Sequence, residues 1–246
     1  MPYMKWKREV LGLLSRKQFI RLLKGQYILK KLLKRKEAQM SLEYEVKLCA
    51  SKKTMEKIEQ CNKLMNWDIK KSGEKHLVSH YYDTEDLKLL YNNLAFRLRE
   101  DGNQKLLHLK ANGTFKNGIY IREEHEYALK NSENYTSKGF LKKHFPIIVD
   151  AIKEDGLREI ITIDNHRHIL LFQKKNSVIE TSLDFLYFVR GKRKIEHNEI
   201  ELELKEGKEE DLIECYSLLQ TQYNLKLAGA SKYELGLRSF SMIPLL

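Results

Sequence analysis

The sequence predicts an α+β fold, a closed antiparallel β-barrel of about eight strands that forms a tunnel, with helices packed on its outside. Two observations lead to this prediction. Successive strand patterns are joined by short turns, which makes the sheet mainly antiparallel. Charged residues of both signs alternate with apolar residues along six of these strands. In a closed barrel, the charged faces line a polar interior and the apolar faces meet the helices.

An acidic pattern marks both the first and the last of these strands. In the stretch 42–48, Glu43, Glu45 and Lys47 share one face, because neighbouring side chains on a strand point to opposite sides. The stretch 199–205 has the same alternation. A solvated face explains any single strand of this kind. However, acids are concentrated on the first and last strands and arginines on the middle strands. This separation favours a barrel interior that is lined by the charged side chains.

The periodicity of apolar residues and the positions of turn residues predict the strands and helices in order along the chain. Strands are predicted at 42–48, 76–83, 94–99, 106–110, 119–129, 158–164, 167–173, 177–188 and 199–205. Helical segments are predicted at 51–67, at 132–154 with a break at Pro146, at 211–223 and at 231–240, with a turn or short helix at 84–90. Tyr81 and Tyr82 are expected in the core, and Asp83 is expected to cap the short helix.

Composition and charge exclude several classes of protein. The 246 residues are 42% hydrophobic, which argues against disorder, and no apolar run reaches the ~18 residues of a membrane span. The three cysteines form neither a disulfide framework nor a zinc motif, so we expect a cytoplasmic protein. Residues 1–40 carry +10 of the net charge of +11. The remainder is nearly neutral, so no specific nucleic-acid partner is predicted.

Residues 1–40 read as a basic amphipathic leader that precedes a domain at 41–246. Such a helix is typical of segments that lie on an anionic surface. The alternative is that translation begins at Met40 and the leader is rarely made.

The predicted interior suits a phosphate chain with bound metal. Clustered carboxylates without histidine or cysteine ligands favour a hard cation, Mg²⁺ or Mn²⁺. Arginine and lysine favour phosphate oxygens. No Gly-x-x-x-x-Gly-Lys-Ser/Thr motif occurs, which excludes an ordinary P-loop nucleotide site. Metal-assisted phosphoryl transfer is the chemistry that this inventory indicates.

Short charged motifs occur in a fixed order from residue 41 to about residue 240. They are Glu43-x-Glu45-x-Lys47, Tyr81-Tyr82-Asp83-Thr84, Arg97-x-Arg99, Lys110, Arg122-x-Glu124-x-Glu126, Arg167, Asp184, Glu199-x-Glu201-x-Glu203-x-Lys205 and Ser231-Lys232. This set resembles the CYTH superfamily, also called triphosphate tunnel metalloenzymes. The resemblance implies hydrolysis of the terminal phosphate of a triphosphate, usually with Mg²⁺ or Mn²⁺. One departure is that His166 and His168, whose charge depends on pH, flank Arg167 where the family often has a second basic residue.

The resemblance assigns roles to three groups of residues. The metal ligands are expected to be Glu43, Glu45, Asp184, Glu199 and Glu201. The phosphate-binding residues are expected to be Lys47, Arg97, Arg99, Lys110, Arg167 and Lys232. The residues expected to take part in catalysis are Lys47, Arg97, Arg99, Glu124 and Glu126, with the two glutamates as supplementary ligands or water-orienting groups. Arg122 is expected either in the site or as a salt-bridge partner of a neighbouring acid.

Two other functions stay open on the sequence. An adenylate cyclase of the family's bacterial branch would use the same tunnel to make cyclic AMP and pyrophosphate. A polyphosphate- or nucleotide-binding module would bind without turnover. The partner in every case is a triphosphate-containing small molecule, whose organic part the sequence does not indicate. A homodimer is compatible with the sequence.

Overall fold

Eight strands form the wall of a closed barrel in the computed structural model, which describes residues 39–130 and 133–244. They are β1 (Gln39–Cys49), β3 (Trp67–Asp83), β4 (Ala95–Asp101), β5 (Gln104–Lys116), β6 (Ile119–Ala128), β7 (Arg158–Lys174), β8 (Ser177–Arg190) and β9 (Arg193–Glu206). Around the wall their order is β1, β6, β5, β4, β3, β7, β8 and β9. Two short strands, β2 (Lys63–Leu64) and β10 (Lys226–Leu227), pair with β3 and β1. The predicted barrel is confirmed.

Closure of the barrel comes from antiparallel pairing of β1 with β9. Lys47 lies opposite Glu201, and Val46 lies opposite Leu202. The pairing therefore joins the two acidic strands edge to edge. Because side chains alternate, it also places their charged residues on the inside and their apolar residues on the outside.

Helices pack on the barrel, and some of them form two covers on its outer surface. The helices are α1 (Lys52–Glu59), α2 (Lys88–Tyr91), α3 (Lys138–His144), α4 (Pro146–Ile152), α5 (Glu209–Tyr223) and α6 (Lys232–Ser239). The first cover packs α1 and α5 on β1, β7 and β9, through Met55, Leu212 and Phe172 among others. The second packs α3 and α4 on β4 and β5, through Phe96 and Phe145. These two clusters bury the outward apolar faces that the sequence predicts.

The C-terminal helix α6 closes one end of the barrel rather than covering its side. Tyr233 stacks on Tyr81, with ring centroids 5.0 Å apart, and packs with Ile161 and Phe188. Gly236 allows this approach, because a Cβ atom there would lie 2.6 Å from Ile161 Cδ1. The first residue of α6, Lys232, thereby reaches the barrel interior.

Three local predictions are wrong. The two strands predicted at 158–164 and 167–173 are one continuous strand, since Asn165 pairs with both neighbouring strands. The strand predicted at 76–83 begins nine residues earlier, at Trp67, where it forms a hairpin with β2. The helix predicted at 51–67 ends at Glu59 for the same reason. It does begin after Ser51, whose hydroxyl accepts a hydrogen bond from the Thr54 amide as predicted.

Other predictions concern the short helix, the membrane and the leader. Asp83 accepts hydrogen bonds from the amides of Leu89 and Leu90, so it caps α2 as expected. Within the described part of the chain, no helix is long and apolar enough to cross a membrane. The predicted leader lies outside the described residues, apart from its last two positions.

Substitution of Gly236 by alanine tests the close packing of α6. We expect Gly236→Ala to lower the free energy of unfolding by about 1–2 kcal/mol, because the overpacking against Ile161 exceeds the gain in helix propensity. Gly139→Ala in α3 is the matched control. It meets no atom within 4 Å and should stabilise the protein by up to about 1 kcal/mol. Urea unfolding of both variants measures the difference. A Gly236→Ala protein as stable as the wild type would contradict the packing.

Candidate active site

A cavity of about 390 Å³ runs inside the barrel and is lined mainly by charged side chains. Every strand of the wall except β8 contributes at least one cation, and β6 contributes Arg122 together with two acids. Its charged lining residues are Glu43, Glu45, Lys47, Lys75, Arg97, Arg99, Asp101, Lys110, Arg122, Glu124, Glu126, Arg167, Glu180, Glu201, Glu203, Lys205 and Lys232, together with His108. The alternation of each strand therefore produces the polar tunnel that the sequence predicts.

Three carboxylates gather on neighbouring strands at the inner wall. Asp184 of β8 lies opposite Glu199 of β9 in the strand register, and Glu201 follows two residues later. One oxygen from each lies within 4.8 Å of the others. Asp184 and Glu199 are fully buried, behind the residues that line the cavity. This group contains three of the five predicted metal ligands.

Cations from three directions contact this group of carboxylates. Lys232 Nζ lies 2.8 Å from an oxygen of Asp184 and 2.8 Å from an oxygen of Glu201, and it also contacts Glu199. Arg167 donates two hydrogen bonds of 2.7 Å to Asp184 and one of 2.8 Å to Glu201. Lys47 Nζ lies 2.5 Å from Glu201.

These contacts keep the three carboxylates ionised. Burial alone would raise the pKa of each, but the neighbouring cations outweigh it. Arg167 and Lys232 lower the pKa of Asp184, and Lys232 lowers the pKa of Glu199. Lys232, Lys47 and Arg167 lower the pKa of Glu201 well below its ordinary value. The group is therefore anionic at neutral pH.

The donor set fits a hard divalent cation. All its ligand atoms are carboxylate oxygens, which Mg²⁺ and Mn²⁺ prefer. The Lys232 ammonium stands where a cation would contact all three carboxylates. A positive charge at that point is thus already part of the structure.

Glu43 and Glu45, the other predicted metal ligands, lie on β1 and are held by cations. Glu43 accepts a hydrogen bond of 2.7 Å from Lys110 and one of 3.3 Å from Arg122. Glu45 contacts Arg122 and lies 3.5 Å from Lys47 Nζ. Burial opposes ionisation of Glu43, yet Lys110 and Arg122 bring its pKa below the ordinary value. Arg122 is therefore an ion-pair partner inside the tunnel, one of its two expected roles.

The middle strands supply an arginine-rich wall. Arg97 donates a hydrogen bond of 3.0 Å to the Tyr81 hydroxyl and lies 3.7 Å from Glu124. Arg99 lies beside it and has no carboxylate oxygen within 4.0 Å among the described residues. Burial, followed by repulsion from Arg97 and Arg167, lowers the pKa of Arg99 to about 10. Arg99 is thus a charged group that lacks an anionic partner among the residues that the structure describes.

Glu124 and His108 form a hydrogen-bonded pair in this wall. His108 Nδ1 lies 3.0 Å from Glu124, and Glu126 lies 3.7 Å from the same nitrogen. Burial lowers the pKa of His108 to about 4, with Arg97 and Arg99 acting in the same direction and Glu124 opposing them. His108 is therefore neutral at pH 7. Lys110 and His108 lower the pKa of Glu124 against the effect of burial.

The structure places all the predicted site residues in or directly behind the cavity wall. Sequence reasoning missed Tyr81, which was expected only in the core but lines the cavity and binds Arg97. His166 and His168 do not line the cavity, since the strand alternation turns them outward when Arg167 points inward.

Comparison with known proteins agrees with this architecture. The family model described as CYTH domain matches residues 41–235. The chain belongs to the CYTH family. It is 28% identical over 205 residues to a protein of Haemophilus influenzae named inorganic triphosphatase, covering 82% of this chain and 57% of that protein. This CYTH chain thus spans little more than half the length of the curated relative it matches.

Two solved structures share the CYTH fold. One is a protein from Hippeastrum, described as a candidate adenylyl cyclase with a dominant triphosphatase activity. It is 17% identical, with a TM-score of 0.57 over 80% of this chain and 96% of that chain. The other is a candidate adenylate cyclase from Bacillus halodurans, 21% identical, with a TM-score of 0.51 over 78% and 95%. At these identities the two structures show the fold.

The buried neutral His108 predicts a pH dependence of stability. Its pKa is about 4 in the folded protein and about 6.5 when unfolded, so its contribution is complete above pH 6.5 and is lost as the pH falls towards 4. Between pH 7.5 and pH 5 we expect the free energy of unfolding of the wild type to fall by on the order of 2 kcal/mol more than that of His108→Gln. Urea unfolding at each pH measures this difference. Parallel curves for the two proteins would contradict a neutral His108.

Proposed function

We propose that this CYTH chain hydrolyses the terminal phosphate of a triphosphate inside its tunnel, with Mg²⁺ or Mn²⁺ as cofactor. The observation that carries the proposal is the tunnel cavity lined by Arg97, Arg99 and Glu201, with the carboxylates of Asp184 and Glu199 grouped directly behind Glu201. Arginines together with clustered carboxylates suit a polyanion with a bound cation. The name of the Haemophilus influenzae relative supports the same activity.

The cofactor would be held by Asp184, Glu199 and Glu201, with Glu43 and Glu45 as further candidates on the adjacent strand. When bound, a divalent cation would polarise phosphoryl oxygens and offset the charge of the triphosphate. Lys232 now contacts the same carboxylates, so its ammonium would be free to move to a phosphate oxygen once another cation neutralises them.

The phosphate chain would be bound by the predicted cations, of which Arg99 is the most readily available. The other cations are paired with carboxylates, so a phosphate must replace those partners. Within the described ranges, 39–130 and 133–244, Arg99 has no such partner to lose. Its planar guanidinium offers two donors to phosphate oxygens, and the ion pair formed would also relieve its repulsion with Arg97.

Glu124 would orient the attacking water rather than act as a strong base. A general base works best when its pKa is near the operating pH, and the pKa of Glu124 is lowered instead. An ionised carboxylate fixed by His108 can still accept a hydrogen bond from water and align it with the terminal phosphorus. Phosphoryl transfer depends chiefly on such positioning and on charge stabilisation. Glu126, which is more exposed and lies two residues further along β6, would support this role.

The cellular setting and assembly are further parts of the proposal. Cys49, Cys61 and Cys215 are unpaired, which is consistent with the reducing cytoplasm expected from the sequence. The homodimer and the contact of the leader with an anionic surface stay predictions.

A panel of substrates tests the proposed reaction. Inorganic triphosphate, ATP and thiamine triphosphate are each incubated with the protein in Mg²⁺ and then in Mn²⁺. We expect orthophosphate and the corresponding diphosphate from at least one of them. Cyclic AMP and pyrophosphate from ATP would show a cyclase instead. Tight binding of triphosphate without any turnover would show a binding module and contradict hydrolysis.

Removal of one charge from the arginine-rich wall and one from the carboxylate group tests their separate roles in phosphate binding and metal binding. Arg99→Leu and Glu201→Gln should each lower kcat/KM for the best triphosphate at least 100-fold, about 2.7 kcal/mol of transition-state stabilisation. Arg158→Leu is the matched control, since Arg158 is an exposed arginine outside the tunnel that pairs with Glu85. Steady-state phosphate release measures all three. Wild-type activity in either tunnel variant would contradict its role.

A further inference from the structure

Histidines are concentrated on the outer face of one strand pair, away from the tunnel. Of the eight histidines in the chain, His76, His80, His166 and His168 lie on β3 and β7. Their neighbours Lys75, Leu77 and Arg167 line the tunnel, so alternation turns these four side chains outward. Half of the histidines therefore share a small part of the exterior.

The strand register brings two of them into direct contact. His76 lies opposite His166, and their imidazole rings stack with centroids 4.4 Å apart and planes 7° from parallel. Asp164, two residues before His166, places a carboxylate oxygen 2.7 Å from His76 Nε2. One ligand atom from each of the three residues lies within 4.8 Å of the other two.

This arrangement is not explained by the packing of the fold. The side chain of His76 is 55% exposed, and His166 is also exposed. The two helical covers of the barrel bury leucine, methionine and aromatic side chains, and the three residues belong to neither cover. Lys194 Nζ, 3.3 Å from the second oxygen of Asp164, is the other described charged group in contact. A cavity of about 430 Å³ adjoins His166 and gives access from solvent.

We propose that His76, Asp164 and His166 form a surface site for a borderline transition-metal ion such as Zn²⁺. Two imidazole nitrogens and one carboxylate oxygen are a ligand set that Zn²⁺ takes readily, with water in the fourth position. The set differs in chemistry from the tunnel carboxylates, whose oxygen-only donors favour Mg²⁺ or Mn²⁺. Ligand atoms of a tetrahedral Zn²⁺ site lie roughly 3.4 Å apart, so the present separations, which are within 4.8 Å, need to shorten by up to about 1.4 Å.

A metal ion at this point would link the two paired strands β3 and β7. The ligands come from both strands, so an ion bound only in the folded state would stabilise their pairing. The site is also independent of hydrolysis, because its side chains lie on the opposite side of the wall from the tunnel.

Counting bound Zn²⁺ in the full chain tests the proposal. Equilibrium dialysis against Zn²⁺, in the presence of excess Mg²⁺, is compared for the wild type, His76→Ala and His166→Ala. Each variant should bind one equivalent less than the wild type. His80→Ala is the matched control, because His80 lies on the same face of β3 but contacts Thr162 and Glu159 instead. It should bind as much as the wild type.

X-ray absorption at the zinc edge and thermal unfolding give two further readouts. The wild-type spectrum should contain two imidazole ligands that disappear in His166→Ala, and Zn²⁺ should raise the Tm of the wild type but not that of His166→Ala. Equal Zn²⁺ stoichiometry in all four proteins would overturn the proposal. An equal loss in His80→Ala would overturn it as well, since binding would then be non-specific.

Discussion

The antiparallel pairing of β1 with β9 is the constraint on which the rest of the structure depends. It converts an open sheet into a closed barrel and removes both sheet edges. In an open sheet, the charged faces would be solvated and their residues would not be gathered into one site. Closure places Lys47 beside Glu201 and turns two separated acidic strands into one wall of a tunnel.

An interior of this kind is stable only if its charges neutralise one another. Taking a carboxylate or an ammonium out of water costs several kcal/mol, and a buried charge that loses its partner is strongly destabilising. The tunnel meets this requirement through ion pairs between walls, such as Arg167 with Asp184 and Lys110 with Glu43. Arg99 is the exception among the described cations of the lining, and Lys232 occupies a position suited to a metal ion. Both features are those of a site arranged for a ligand that carries charges of both signs.

Alternation and charge were enough to predict the barrel and most of the charged residues inside it, because inward and outward positions repeat every second residue. The family resemblance was needed to predict Arg167, Asp184 and Lys232. They were not enough to predict contacts set by register or by long-range packing. Lys232 reaches the acidic group because α6 enters the end of the barrel, which depends on the close approach at Gly236. The pairing of His76 with His166 depends on irregularities in β3 that shift its register against β7. Short-range patterns in sequence contain neither piece of information.

The location of metal and triphosphate in a crystal tests the central claim most directly. Crystals grown with Mn²⁺ and inorganic triphosphate, in a protein slowed by Glu124→Gln, would be measured for anomalous scattering. We predict an anomalous peak for manganese at coordination distance from Glu201 and from at least one of Asp184 and Glu199. We also predict phosphate oxygens within hydrogen-bonding distance of Arg97 and Arg99. Manganese and triphosphate bound outside the barrel, with the tunnel ion pairs unchanged, would contradict it.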